Sequence, residues 1–154
     1  MNAGAPATPQ QRIAAECARR GDAAFIAGCV ALLGGRADDV DDGLITALGG
    51  EPAGPVLDGA EGGRSGYWPR VWAARGLLHA FEDRAADGDD AAVEAIIGAT
   101  RDPAWRVREM AAKVVARHRV GRALDAVARV RDDPVARVRA AAERAVVALT
   151  ASRA

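Results

Sequence analysis

The chain has 154 residues, half of them hydrophobic, which suits one domain with a substantial core. Its six aromatics are Phe25, Tyr67, Trp68, Trp72, Phe81 and Trp105, so the apolar share is mostly Ala, Val and Leu; this favours closely spaced helices and argues against a β-sandwich. Lys plus Arg and Asp plus Glu balance at 21 each, which excludes a uniformly basic domain, yet residues 1–62 hold four Arg against nine acids, net −5, and residues 63–154 hold the opposing +5.

The opening MNAGAPATPQ has no cationic stretch followed by an apolar one, so it does not read as a secretion signal, and the expected compartment is the cytoplasm. Residues 1–7 are expected to be disordered. Thr8, Pro9 and Gln11 supply an N-cap, a proline at the first helical position and a capping-box partner, predicting a helix to about Arg20 that Gly21 ends. Asp22 can cap a second helix to about Leu33, closed by Gly34 and Gly35, which makes residues 8–34 a helical hairpin. The apolar run AFIAGCVALL is about half of the ~20 residues a membrane span needs, so it reads as a buried helix. Cys17 and Cys29 fit that reading as small buried hydrophobes without a disulfide.

Asp38, Asp39, Asp41 and Asp42 precede GLITAL, where carboxylates favour the positive end of a helix dipole; a helix start is preferred there over a metal site. Residues 49–66 contain seven Gly and two Pro and predict a long loop without helix or strand, its middle pinned by Val56 and Leu57. From Tyr67 the pattern is regular. A helix at about 67–82 precedes the acidic turn EDRAADGDD, and helices follow at about 90–99, 103–118, within VGRALDAVARV, and to the end. Val107, Met110, Ala111 and Val114 recur at three- and four-residue steps, as do Val135, Val138, Ala141, Ala142, Ala145, Val146 and Leu149, so each helix has one buried stripe.

Two of these helices are one sentence written twice. An offset of 31 maps Asp102, Pro103, Arg106, Val107, Arg108 and Ala111 onto Asp133, Pro134, Arg137, Val138, Arg139 and Ala142. A shift of 38 the other way aligns Tyr67 with Trp105, Arg70 with Arg108, and Ala73 and Ala74 with Ala111 and Ala112, in a softer register. A period of 31 to 38 residues with two helices per unit is the mark of an α-solenoid, whose units bury their stripes only against neighbours.

DPAWRVREMAAKVV and DPVARVRAAAERAV resemble the second helix of HEAT repeats, particularly the short HEAT-like type also found in phycobilisome lyases. The resemblance is clear over residues 101–150, fair over 64–100 and confined to degenerate helical pairs over 8–48. It implies an all-α, right-handed solenoid (an α-α superhelix) over one domain at 8–154. It also implies that Asp102 with Arg108, and Asp133 with Arg139, form a ladder between neighbouring units, and it puts Arg64 where the preceding unit should have its Asp.

A second stripe lies off the core. Arg106, Glu109, Lys113 and Arg117 follow helical steps, and the same offsets select Arg137 and Arg144, then Trp68, Arg75 and His79. Stacking would align Trp68, Arg106 and Arg137 in one row and Arg75, Lys113 and Arg144 in another. Because second helices line the concave side of HEAT-type solenoids, the expectation is a basic groove with one aromatic anchor that holds an acidic protein segment. The alternatives are an ordinary solvated Arg face and nucleic-acid binding, the latter because some HEAT-like proteins are DNA glycosylases that use such a groove and Trp68 could stack a base. Catalysis has no visible constellation. There is no P-loop, no dinucleotide fingerprint, and Gly63-Arg64-Ser65-Gly66-Tyr67 misses the nucleophile elbow at its last position. His79 and His118 read as satisfied or exposed, and with Cys17 and Cys29 they lack zinc spacing, so no metal or cofactor is expected. The expected protein is a small bacterial adaptor or scaffold, with neither its partner nor its oligomeric state legible.

Overall fold

A computed structural model describes residues 4–81 and 90–151, and among these every regular element is helical. The elements are α1 (Pro9–Arg20), α2 (Asp22–Leu33), α3 (Asp42–Gly49), α4 (Ala53–Leu57), α5 (Tyr67–Ala80), α6 (Asp90–Ala99), α7 (Trp105–His118), α8 (Leu124–Val130) and α9 (Ala136–Ala151), with short 3-10 turns at Ala37–Asp39, Ala60–Ser65 and Gly121–Ala123. Residues 1–3 of the expected disordered stretch, and the expected acidic turn up to Asp89, lie outside the described residues.

Local signals set the first helices. Thr8 Oγ1 accepts from Gln11 N at 3.2 Å while Gln11 Oε1 accepts from Thr8 N at 2.9 Å, so two otherwise orphaned donors at the start of α1 are satisfied reciprocally. Gly21, at φ 92°, ends the helix. The acidic run at 38–42 does start a helix: Asp41 Oδ1 accepts from Leu44 N at 2.9 Å. Asp41 also takes both ends of the Arg20 guanidinium, at 2.6 and 2.9 Å, which ties the end of α1 to the start of α3. That guanidinium and the Leu44 amide together hold the Asp41 carboxyl well below the usual carboxylate range.

The Gly- and Pro-rich stretch departs from expectation, because α4 and a 3-10 turn lie within it. Two facts outweigh its composition. Ala53 and Val56 are buried against the core, at 0% and 5% exposure, so packing stabilises a turn of helix that propensity disfavours. Then Gly59, Glu61, Gly62 and Gly63 all take positive φ, a reversal that needs glycine at most of those positions. Arg64 closes the segment by donating to Val40 O, to Ala37 O at 2.9 Å and to Asp42. Among the described residues its pair with Asp42 is the one ion pair that joins the acidic and basic halves of the chain.

The helices that follow form a layer in which α5 packs on α7 and α7 on α9; α2, α3 and α1 cover α5, α6 lies against α2 and α7, and α8 backs α9. The stripes predicted for α7 and α9 are the ones buried. Val107, Ala111, Val114 and Val115, then Val138, Ala141, Ala142 and Ala145, are at most 1% exposed, while Met110, Val135 and Val146 are half-buried at the stripe edges.

The same bonds recur between successive helices of this layer. Arg70 Nε and Nη2 meet Asp102 Oδ2 and Oδ1 at 2.7 and 3.1 Å, and Arg108 meets Asp133 with the same atoms at the same distances. Each acid also accepts from the amide two residues on, Ala104 N at 2.8 Å and Val135 N at 2.9 Å. These Asx turns push the helix starts to Trp105 and Ala136, two residues beyond the prolines at which they were expected. The Nη1 of Arg70, Arg108 and Arg139 caps backbone carbonyls just before its own helix. Each carboxylate therefore pairs with the arginine of the preceding unit, while the arginine six residues after it bonds its backbone carbonyl. Arg139, the last, has no carboxylate partner among the described residues. Arg70 supplies the first of these pairs although Arg64, not Asp, stands before its own helix.

Candidate binding face

Tyr67 and Trp68 open α5, Trp105 and Arg106 open α7, and Arg137 sits in the first turn of α9. The rungs below hold these helix starts in register, and the result is an alternating stack of rings and guanidiniums. Trp72 and Trp68 stack at 6.1 Å with 24° between planes. Arg106 lies 5.5 Å from the Trp68 ring, 5.9 Å from Tyr67 and 4.4 Å from Trp105. Arg137 lies 5.6 Å from the Trp105 ring. All four distances fall within the ~6 Å over which a ring quadrupole attracts a cation, at about 0.5–1 kcal/mol per exposed contact.

Of the six residues expected to hold a partner, Trp68, Arg106 and Arg137 are thus brought into one row. The second row does not form. Arg75 is half-buried and donates Nη2 to Leu48 O at 2.6 Å, so it caps the end of α3. Lys113 is bound 3.2 Å from Glu109, and Arg144 stands exposed on α9 with no contact to either. For Lys113 the reason is Glu109. It was legible as a stripe member, but its burial, at 8%, was not; it accepts from Arg137 and Lys113 together, both at 3.2 Å, and cancels one of their two charges. Arg106 differs from these cations because no carboxylate lies within ion-pair distance of it among the described residues.

Tyr67 and Trp105 were missed as members of the face. The signal was present, since the 38-residue shift places these two rings in register, but equivalence within a repeat reads first as shared packing. Glu61 was also missed: it accepts from Trp68 Nε1 and orients that indole.

Cys17 and His79 line a second cavity of about 380 Å³ between α1 and the end of α5. Burial, helped by Asp22 and Glu16, pushes the Cys17 thiol up, away from the thiolate form that acts as a nucleophile. No group of three or more His, Cys, Asp or Glu side chains suited to a metal ion occurs among the described residues, and none of their helices is long and apolar enough to cross a membrane. His118 is satisfied through Nε2 to Leu78 O at 2.9 Å, but His79 has a buried Nδ1 without a partner, contrary to expectation.

Burial, then Arg117, Arg75 and His118, depress the His79 pKa below its ordinary value near 6.5. The unfolded chain then takes up its proton first, so the stability due to neutral His79 is present above about pH 6.5 and is lost as pH falls below it. Thermal midpoints should decline from pH 7.5 to 5.5, and more shallowly in His79→Leu; parallel slopes would show that His79 is not the group responsible.

No family model, curated protein or solved structure matches this chain.

Proposed function

We propose that the protein is a non-catalytic binding module of the HEAT-like kind, a short right-handed α-solenoid that captures an acidic protein segment on the face formed by the starts of α5, α7 and α9. What supports the solenoid reading is the repeated rung: the same Arg–Asp geometry joins α5 to α7 and α7 to α9, as translation of one unit along a stack requires. What supports the function is Arg106. Its guanidinium lies within ~6 Å of three rings, and among the described residues it has no carboxylate partner, so contacts that position it are in place before a ligand arrives. A carboxylate at its free edge would gain a charge-assisted, bidentate-capable partner, and Arg137 and Arg144 extend the positive field along α9.

The test is fluorescence anisotropy with a labelled 14-residue glutamate-rich peptide, its glutamine-substituted analogue and a 20-nucleotide single strand. The acidic peptide binds best in this reading, and reversing both Arg106 and Arg137 to Glu weakens it about thirtyfold, roughly 2 kcal/mol, while the melting curve stays cooperative. Unchanged capture by the reversed protein, or equal binding of the glutamine peptide, would overturn the reading. A single strand bound more tightly than the peptide would transfer the face to nucleic acid.

A further inference from the structure

Trp68 also lines a cavity of about 480 Å³, within the ~300–1,000 Å³ typical of ligand pockets, whose lining includes neither Arg106 nor Arg137. The stacked Trp68 and Trp72 from α5 and Pro52 and Pro55 from the Gly-rich segment supply flat apolar walls; Glu61 and Arg75 are its charged lining residues. The charge beside it is unbalanced. Arg75 Nε is buried without a partner among the described residues, and Arg12 sits close by, donating to Ala47 O at 3.2 Å and Ala7 O at 2.9 Å. Neither arginine has a carboxylate within ion-pair distance among the described residues. The C-terminal end of α3 that they cap offers about half a negative charge against their two positive ones. Burial followed by Arg12 lowers the Arg75 pKa, the mark of a cation short of counter-charge.

We propose that this cavity binds a small aromatic carboxylate, with its ring against Trp68 and Trp72 and its carboxylate directed to Arg75. The apolar walls reward a flat ring, and the uncompensated guanidinium selects an anion over a neutral or cationic ligand of the same shape. Glu61 is already engaged with Trp68 Nε1 and would repel the ligand's carboxylate, so it orients that group toward Arg75.

The experiment titrates 2-naphthoate, and separately its neutral analogue 2-naphthalenemethanol, into the full chain while following the three indole N–H resonances by NMR. The acid should move the Trp68 and Trp72 signals saturably and leave Trp105 in place, and the alcohol should bind about tenfold more weakly. Ala60→Phe, which fills the cavity from an exposed position, should abolish binding, Glu61→Gln should bind at least as tightly, and Arg75→Met should erase the preference for the acid. Should Arg75→Met fail to fold, the acid–alcohol comparison on the unaltered chain and the Ala60→Phe protein still decide. Equal affinity for acid and alcohol, no saturable shift, or undiminished binding by Ala60→Phe would overturn the proposal. The protein with Arg106 and Arg137 reversed to Glu should still bind 2-naphthoate, which separates this site from the peptide-binding face.

Discussion

Asp133→Ala is expected to lower the unfolding free energy by about 3 kcal/mol, because it removes one half of a largely desolvated pair and leaves the other behind. The two side chains are 6% and 15% exposed, so solvent does little to screen the loss. Arg108 keeps its two carbonyl contacts but loses both carboxylate oxygens, and the Val135 amide loses its acceptor at the entry to α9. Urea unfolding at neutral pH measures the effect. Arg139→Ala is the control: its carbonyl contacts resemble those of Arg108 but it holds no acid among the described residues, so its cost should be about 1 kcal/mol. The defect should also shrink in acid. Arg108, then the Val135 amide, hold the Asp133 carboxyl below its ordinary value, so its contribution is fully present above the unfolded pKa near 3.9 and is lost as pH falls through the lower folded value. A defect under 1 kcal/mol at neutral pH would mean that the rung is ornamental. Replacing both partners with apolar residues should recover much of the loss, because no charge is then stranded.

Gly76→Val should cost about 3 kcal/mol, and even Gly76→Ala should destabilise, although glycine-to-alanine in a helix interior ordinarily gains about 1 kcal/mol. A Cβ at position 76 would lie 2.7 Å from Leu48 Cδ2, 2.9 Å from Cys29 Sγ and 3.2 Å from Phe25 Cζ. Leu48, Cys29 and Phe25 are all fully buried, so the added carbon has no solvent into which to displace them. The residue is therefore a point at which α2 and α3 approach α5 too closely for a side chain. Gly98, in α6, has nothing within 4 Å of its would-be Cβ and is exposed, so Gly98→Ala should stabilise by about 0.5 kcal/mol. Thermal and urea midpoints of the three proteins suffice, and a neutral Gly76→Val would show that the three helices do not meet as described.

Legibility followed the range of the interaction. The capping box at Thr8, the Asp41 cap and the stripes of α7 and α9 depend on residues within four positions of one another, and each is found where the sequence put it. The Gly-rich segment was misread because composition reports what a chain does in water, whereas α4 exists through the burial of Ala53 and Val56 on another part of the chain. The candidate face was half legible. Repeat offsets found Trp68, Arg106 and Arg137 because equivalent positions on stacked helices align. They failed for Arg75 and Lys113 because each found a nearer acceptor, a helix-end carbonyl or the buried Glu109, that the repeat pattern does not encode.

By itself, then, the sequence determined the helical class, most helix boundaries and which face of each late helix is buried, since these follow from local hydrogen bonds and a 3.6-residue period. Tertiary structure decided which charges remain available. Arg106 and Arg137 share one ring, but Arg137 shares the Glu109 carboxylate with Lys113 while Arg106 has none among the described residues, because whether a cation meets a carboxylate depends on the approach of separate helices.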